Sequence, residues 1–295
     1  MSRRGWLLFA SMCVIWGVPY LLIRVAVREL APATLVFART GLASAVLLPV
    51  AAYRRELRPL LGAWRPLLVF AAVEIGVPWL LLNTAETHLA SSLTALLVAA
   101  TPLVAAVSVM ATRHEDRLGL LRLTGLLLGL AGVAAVVGLN VGRVNVPALL
   151  EVAGVAVAYA VGPILLARYL SHLPSLGVIA VSLGLCAVAY APIAALRLPA
   201  HVPSGRVLAS VAGLALACTA VGFVIFFALI AEVGPARALV FTYVNPVVAA
   251  IVGVAVLSEP FTAGMGFGFA LVLLGCYLAT QRAPVPVAVA AAAEP

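Results

Sequence analysis

The stretch Ala90–Gly132 recurs at Gly234–Gly275, and that recurrence limits the folds open to this chain. The first copy reads Thr101-Pro102, Val104-Ala105-Ala106, Ala111 and Glu115. The second reads Asn245-Pro246, Val248-Ala249-Ala250, Ala255 and Glu259, each 144 residues after its counterpart. One residue then drops out, and Gly125 and Gly132 match Gly268 and Gly275 at an offset of 143. A proline within an apolar run, a carboxylate thirteen residues later and glycines seven apart are unlikely to recur together by chance. Self-similarity of long period indicates duplicated structural units.

The repeated unit is apolar. Of 295 residues, 65% are hydrophobic and 9% charged, against about 25% charged in a soluble domain. The composition therefore describes a polytopic membrane protein. Its net charge of +8 comes from arginine, lysine being absent, and the arginines are spread over short segments rather than gathered as a nucleic-acid patch would be. Cys13, Cys186, Cys218 and Cys276 lie in apolar runs without C-x-x-C spacing and read as small buried hydrophobes, not metal ligands. Ser2-Arg3-Arg4 resembles the start of a secretion signal, but the apolar run behind it continues to about Ala26, too long for one.

Spanning the hydrocarbon takes ~20 apolar residues per helix. Ten segments qualify: 6–26, 33–53, 66–84, 89–112, 119–138, 148–169, 175–197, 207–231, 235–257 and 262–281. The expected fold is an all-α integral membrane protein of ten helices. Placing both termini in the cytoplasm puts twelve arginines in inner segments and four in outer ones, in accord with the positive-inside rule. Five helices separate each position from its copy, so the halves, residues 1–142 and 143–282, have opposite topology. Tyr159 echoes Trp16, and Pro192 echoes Pro49. Inverted repeats are a recurrent plan of secondary transporters, with the substrate site between the halves. Residues 283–295 form an Ala/Val/Pro tail expected to be disordered.

Pro102, Glu115, Gly125 and Gly132, their echoes Pro246, Glu259, Gly268 and Gly275, and Trp16-Gly17 resemble the drug/metabolite transporter superfamily, in particular its EamA-type ten-helix transporters. The resemblance covers residues 6–281 and implies two five-helix repeats, cytoplasmic termini and a central cavity lined by both halves. It also implies movement of amino acids or other small metabolites, often outward. This chain departs from commoner members in carrying Glu74 and Glu86-Thr87-His88 around the third span.

Glu74 is the foremost candidate for transport, lying about 15 Å from the outer end of its span at ~1.5 Å per residue. A carboxylate at the centre of a bilayer costs ~2.5–3.5 kcal/mol on insertion scales, so it should face a cavity or a partner, or be protonated. It would bind a substrate ammonium or exchange a proton; the alternative is a neutral carboxyl bonded to a neighbouring helix. Arg39 is placed to pair with Glu74 or to grip a substrate carboxylate, unless it snorkels to the headgroups. Arg24, nearer the interface, is expected to snorkel.

Trp16 and Tyr20, four apart, share a helix face and with Trp79, Tyr159 and Tyr243 would wall a cavity, or else simply pack. Pro78, Pro102 and Pro246 are the candidate kinks. Asn245 and Thr101 beside two of them would re-satisfy freed carbonyls and offer polar groups to a ligand. Glu115 and Glu259, in the repeat motif, read as structural carboxylates near helix N-termini, with Thr262 as N-cap. Glu86 and His88 read as solvated loop residues. The glycine ladders Gly125/Gly129/Gly132 and Gly264/Gly266/Gly268 would allow close packing within the body or against a second subunit.

No Walker loop, H-E-x-x-H or G-x-S-x-G appears. The expectation is a secondary transporter of the inner membrane, exporting small amino-acid-like or amphipathic metabolites by alternating access. No cofactor, metal or nucleic acid is expected; proton coupling and a homodimer are compatible with it. The rival classes are a membrane-embedded enzyme acting on a lipid-linked substrate, resting on His114, Glu115 and Asp116, and a membrane sensor without transport.

Overall fold

A computed structural model describes residues 1–112, 120–138 and 145–280. The first half contains α1 (Arg3–Ile15), α2 (Pro19–Ala26), α3 (Pro32–Tyr53), α4 (Trp64–Phe70), α5 (Val77–His88), α6 (Ser91–Val98), α7 (Thr101–Thr112) and α8 (Leu120–Gly138). The second contains α9 (Val146–Leu165), α10 (Ser175–Leu196), α11 (Gly205–Ala212), α12 (Gly222–Val233), α13 (Pro235–Ala238), α14 (Asn245–Leu257) and α15 (Ala263–Thr280). Of three π-helical segments among the described residues, Ala71–Gly76 and Gly213–Val221 join α4 to α5 and α11 to α12 at corresponding places of the repeat, and Leu166–Leu170 continues α9. Among the described residues there is no strand.

Seven helices among the described residues are long and apolar enough to cross a membrane: Arg3–Ala26, Pro32–Tyr53, Arg58–His88, Val146–Leu170, Ser175–Leu196, Gly205–Val233 and Leu239–Leu257. The other three expected spans coincide with shorter apolar helices, Ser91–Ala105, Leu123–Ala135 and Ala263–Ala279. Large hydrophobic side chains such as Leu42, Val46, Leu127, Leu130 and Ile251 face outward. An apolar exterior of this extent is unsuited to water and suited to lipid. The tail and the loop holding His114, Glu115 and Asp116 lie outside the described residues.

Helix starts follow local chemistry. Ser2 Oγ accepts from Gly5 N at 2.9 Å, Asn145 Oδ1 from Ala148 N at 3.0 Å, and Thr262 Oγ1 from Met265 N at 3.2 Å, each a side-chain N-cap. Pro78, Pro102 and Pro246 all sit in the first turn of a regular α segment (α5, α7 and α14), just after the α ladder has been interrupted within the longer helix, so the missing N–H falls where the ladder is already broken. The expected first span is interrupted at Trp16–Val18, because Pro19 cannot donate and opens α2 instead. Trp16 and Tyr20 therefore do not share one unbroken helix, contrary to the reading from their spacing.

Repeat-equivalent helices pack against each other in opposite directions. On α8 and α15, Gly125 lies against Gly275 and Ala279, while Gly132 lies against Gly268 and Val272. A Cβ at Gly132 would stand 2.6 Å from Val272 N and 2.7 Å from Gly268 O, so only glycine permits this approach. Gly125, Gly132 and Gly268 thus serve contact within the body. On α3 and α10, Gly41 faces Ala187 while Leu48 faces Gly184, again antiparallel.

Carboxylates at element ends tie the halves at both ends of the bundle. At one end Glu29 accepts from Ser204 N and Oγ, both at 2.7 Å, and Glu259 accepts from Ser91 N at 2.8 Å and Ser92 N at 2.9 Å. At the other, Glu56 accepts from Gly177 N at 3.0 Å, and Glu232 meets Ser2 Oγ and Arg4. Each of these carboxylates lies at the N-terminal end of a helix in the opposite half, where partial positive charge favours it. Glu259 therefore serves α6 rather than the helix that follows it in sequence. The hydrogen bonds from Ser204 hold the Glu29 carboxyl below its ordinary value of 4.5. Burial alone would raise Glu259, but the bonds from Ser92 and Ser91 outweigh it and hold that carboxyl below 4.5 as well.

Candidate functional site

The π segments Ala71–Gly76 and Gly213–Val221 frame the candidate site. A π turn widens the helix and detaches carbonyls from the regular ladder, a feature that recurs at functional sites. In Ala71–Gly76 these carbonyls are met from α10: Cys186 Sγ donates to Ala71 O at 3.3 Å and Tyr190 Oη to Gly76 O at 3.0 Å. Glu74 lies within this segment, partly covered along its length, with Oε2 buried and without a hydrogen-bond partner among the described residues. Its carboxyl presses on Gly162 of α9, where any Cβ would overlap Oε2. Glu74 thus crosses the seam between the halves, and the glycine opposite it makes the room.

In Gly213–Val221, Thr219 Oγ1 donates to Leu214 O at 2.7 Å and accepts from Arg39 Nε at 2.9 Å. Trp16 Nε1 donates to Cys218 O at 3.0 Å in the same segment. Arg39 is 7% exposed, and its guanidinium lies 3.6 Å from the centroid of the Trp79 ring. A desolvated stack of this kind contributes ~2 kcal/mol. Arg39 neither snorkels nor forms an ion pair with Glu74: the sole ion pair among the described residues is Arg4–Glu232. The reason is position, since Trp79 on α5 intercepts the guanidinium and Thr219 fixes its Nε.

Tyr159 on α9 lies near both ionisable groups. It packs against both large apolar clusters, meets the Trp79 side chain and lies within electrostatic reach of Glu74 and Arg39. Tyr20 on α2 is close enough to interact with Tyr159, Arg39 and Glu86. Glu74, Arg39, Trp79, Tyr159 and Tyr20 are therefore brought together. Trp16 stands apart in an aromatic cluster, its ring 5.4, 5.1 and 5.3 Å from those of Phe223, Phe226 and Phe241. Tyr243 packs against a different cluster, around Leu103, Leu126 and Val272. The Asn245 amide, oriented to donate, bonds Cys13 O at 3.3 Å and Phe241 O at 3.1 Å, which leaves its nitrogen to the backbone rather than to a ligand. Thr101 Oγ1 donates to Val98 O at 2.7 Å, the carbonyl that Pro102 cannot bond.

Glu86 and Arg24 also depart from the sequence expectation. Glu86 is not in a loop: it belongs to the last turn of α5, is 0% exposed, and neither carboxyl oxygen has a hydrogen-bond partner among the described residues. Arg24 does not snorkel, because its Nη1 donates to the backbone carbonyl of Glu86. The sequence signal for Glu86 was its acidic character one turn inside an unusually tight hairpin. Only His88 beyond it is exposed.

An apolar exterior around a buried, ionisable and aromatic centre defines a multi-pass membrane protein with an internal polar site. The chain belongs to the EamA-like transporter family of the drug/metabolite transporter superfamily, whose model matches residues 3–138 and again 146–281. It is 24% identical over 284 residues to the uncharacterized transporter YvbV of Bacillus subtilis, covering 95% of this chain and 93% of that protein. An uncharacterized transporter of Archaeoglobus fulgidus is likewise 24% identical over 284 residues, covering 95% and 99%. A solved crystal structure shares the fold at a TM-score of 0.66 and 19% identity, covering 95% of this chain and 97% of its own.

Proposed function

We propose that the protein is a secondary active transporter that exports small metabolites bearing an amine and a carboxylate, amino-acid-like or amphipathic, by alternating access. The observation that carries this reading is the pair Arg39 and Glu74: two groups of opposite character, the first buried and the second with one carboxyl oxygen buried and unbonded among the described residues, both near Tyr159 yet not paired with each other. A zwitterion would bridge them, its carboxylate on the Arg39 fork and its ammonium on Glu74, with Trp79, Tyr159 and Tyr20 covering its apolar part.

In this reading the three shorter apolar helices complete ten spans, arranged as inverted five-helix repeats, residues 1–142 and 143–282. The antiparallel packing of α3 on α10 and α8 on α15 supports that arrangement. So do the corresponding π segments. The arginine distribution supports an inner-membrane protein with cytoplasmic termini, which makes the Glu29–Ser204 end the outer one. Carboxylate ties at both ends give each closed face something to break during rocking.

The test is a thermal-shift screen of amino acids and related metabolites on the purified protein, followed by counterflow of each hit in proteoliposomes. Glu74→Gln should abolish counterflow or its dependence on pH. Unchanged transport in that variant at every pH removes Glu74 from the mechanism.

A further inference from the structure

Glu86 is a second buried carboxyl in the polar interior, and nothing above gives it a task. Its side chain is 0% exposed and both oxygens lack a hydrogen-bond partner among the described residues. The nearest cation is spent elsewhere: Arg24 Nη1 donates to the backbone carbonyl of Glu86 itself, so the guanidinium rests at the root of the carboxyl it does not bond. An ionised carboxylate removed from water and left unpaired is among the costliest arrangements a protein can hold.

The polar groups on the elements packed against α5 are few. Arg24 and Tyr20 on α2 act on Glu86; α9 carries Glu151 and Tyr159, α3 carries Arg39, and α6 brings only Ser91, Ser92 and Thr94. His88 follows on the same helix and interacts with Glu151; Glu74 lies three turns earlier. Glu259 also acts on Glu86 electrostatically, but its carboxylate is committed to Ser91 and Ser92, so it adds negative charge without a proton to share.

We propose that Glu86 is a second proton-binding site, which holds its proton while Arg24 rests on the Glu86 carbonyl and releases it to water when the guanidinium swings onto the carboxylate. The swing requires only side-chain rotation and a small shift of α2. The turn at Trp16–Val18 separates that helix from α1, so the shift does not have to carry α1 with it. α2 packs on α11 and on the π segment Gly213–Val221, where Thr219 holds Arg39. Loss of the proton at Glu86 is thereby passed to the group that would grip a substrate carboxylate. The inference rests on the transporter reading only for this consequence; the proton site itself is tested without any substrate.

Infrared spectroscopy of the full chain in liposomes reads protonated carboxyl groups through their C=O stretch. At neutral pH the wild type should show components that Glu74→Gln and Glu86→Gln remove separately. On alkalinisation the wild type should lose the Glu86 component, whereas Arg24→Met should retain it at the same pH, the receiving cation being gone. A Glu86→Gln spectrum identical to wild type in this region overturns the proposal. So does Arg24→Met titrating as wild type, an outcome readable even if Glu86→Gln does not assemble. Failure of Glu74→Gln to alter counterflow would strike the transport site alone and leave the Glu86 result standing.

Discussion

Arg39 lies flat on Trp79, its guanidinium carbon 3.6 Å from the ring centroid, with Nε bonded to Thr219 at 2.9 Å. A side chain from α3 is thus oriented by an indole from α5 in its own half and a hydroxyl from the other. The planar fork stays open along its edge, the geometry that suits a carboxylate.

Replacing that fork by an ammonium should be costly despite the conserved charge, because lysine neither stacks flat nor bonds bidentately. Losing one charge-assisted hydrogen bond of about 1.5–3 kcal/mol weakens binding roughly ten- to a hundredfold. Arg39→Lys should show that loss in the Kd of any metabolite that stabilises the wild type, read by thermal shift or calorimetry. Equal affinity in the two proteins would place the ligand elsewhere.

Gly162 makes room for Glu74 across the seam. Gly162→Ala should displace the Glu74 carboxyl and impair counterflow as Glu74→Gln does, while the double variant adds little to either single change. Additive defects would mean that the two residues act separately.

The glycine approach of α8 to α15 predicts a stability effect. Gly132→Val would force atoms into Val272 N and Gly268 O, at 2.6 and 2.7 Å from the first added carbon. Overpacking of this kind costs about 1–3 kcal/mol or more. The thermal midpoint of the detergent-purified protein should fall; an unchanged midpoint would show that the helices separate readily.

The ties at Glu29 and Glu259 predict acid sensitivity. Both carboxyls are held below 4.5 in the folded protein. A carboxyl depressed on folding contributes stability that is fully present above its unfolded value and is lost as pH falls through the folded one. The wild type should therefore lose thermal stability below about pH 4.5, the ordinary carboxylate value, and Glu259→Gln should be less stable at neutral pH with a shallower acid decline. Parallel pH profiles would remove Glu259 from the acid response.

The helix ends were legible in the sequence to within a few residues, save where the third span begins earlier than hydropathy alone suggests. Long apolar runs punctuated by proline and glycine leave few alternatives in lipid, where every backbone group must be bonded within its own segment. Thr262 as a cap and Thr101 covering the carbonyl freed by Pro102 are local in sequence, and were legible for that reason. Hydropathy places Glu86 by its neighbours in the chain, as a hairpin residue, while its burial depends on packing of α5 against α2 and α9.

By itself the sequence determined an apolar, duplicated, helical membrane protein and singled out Arg39 and Glu74 as charges out of place in lipid. Tertiary structure alone decided their partners: Trp79 and Thr219 for Arg39, Gly162 for Glu74, and Ser91 and Ser92 for Glu259. The physical reason lies in range. Hydropathy and proline chemistry act over one or two helical turns and are written along the chain. A buried polar group instead takes whatever donor or opening another helix brings beside it, and that depends on how the helices cross.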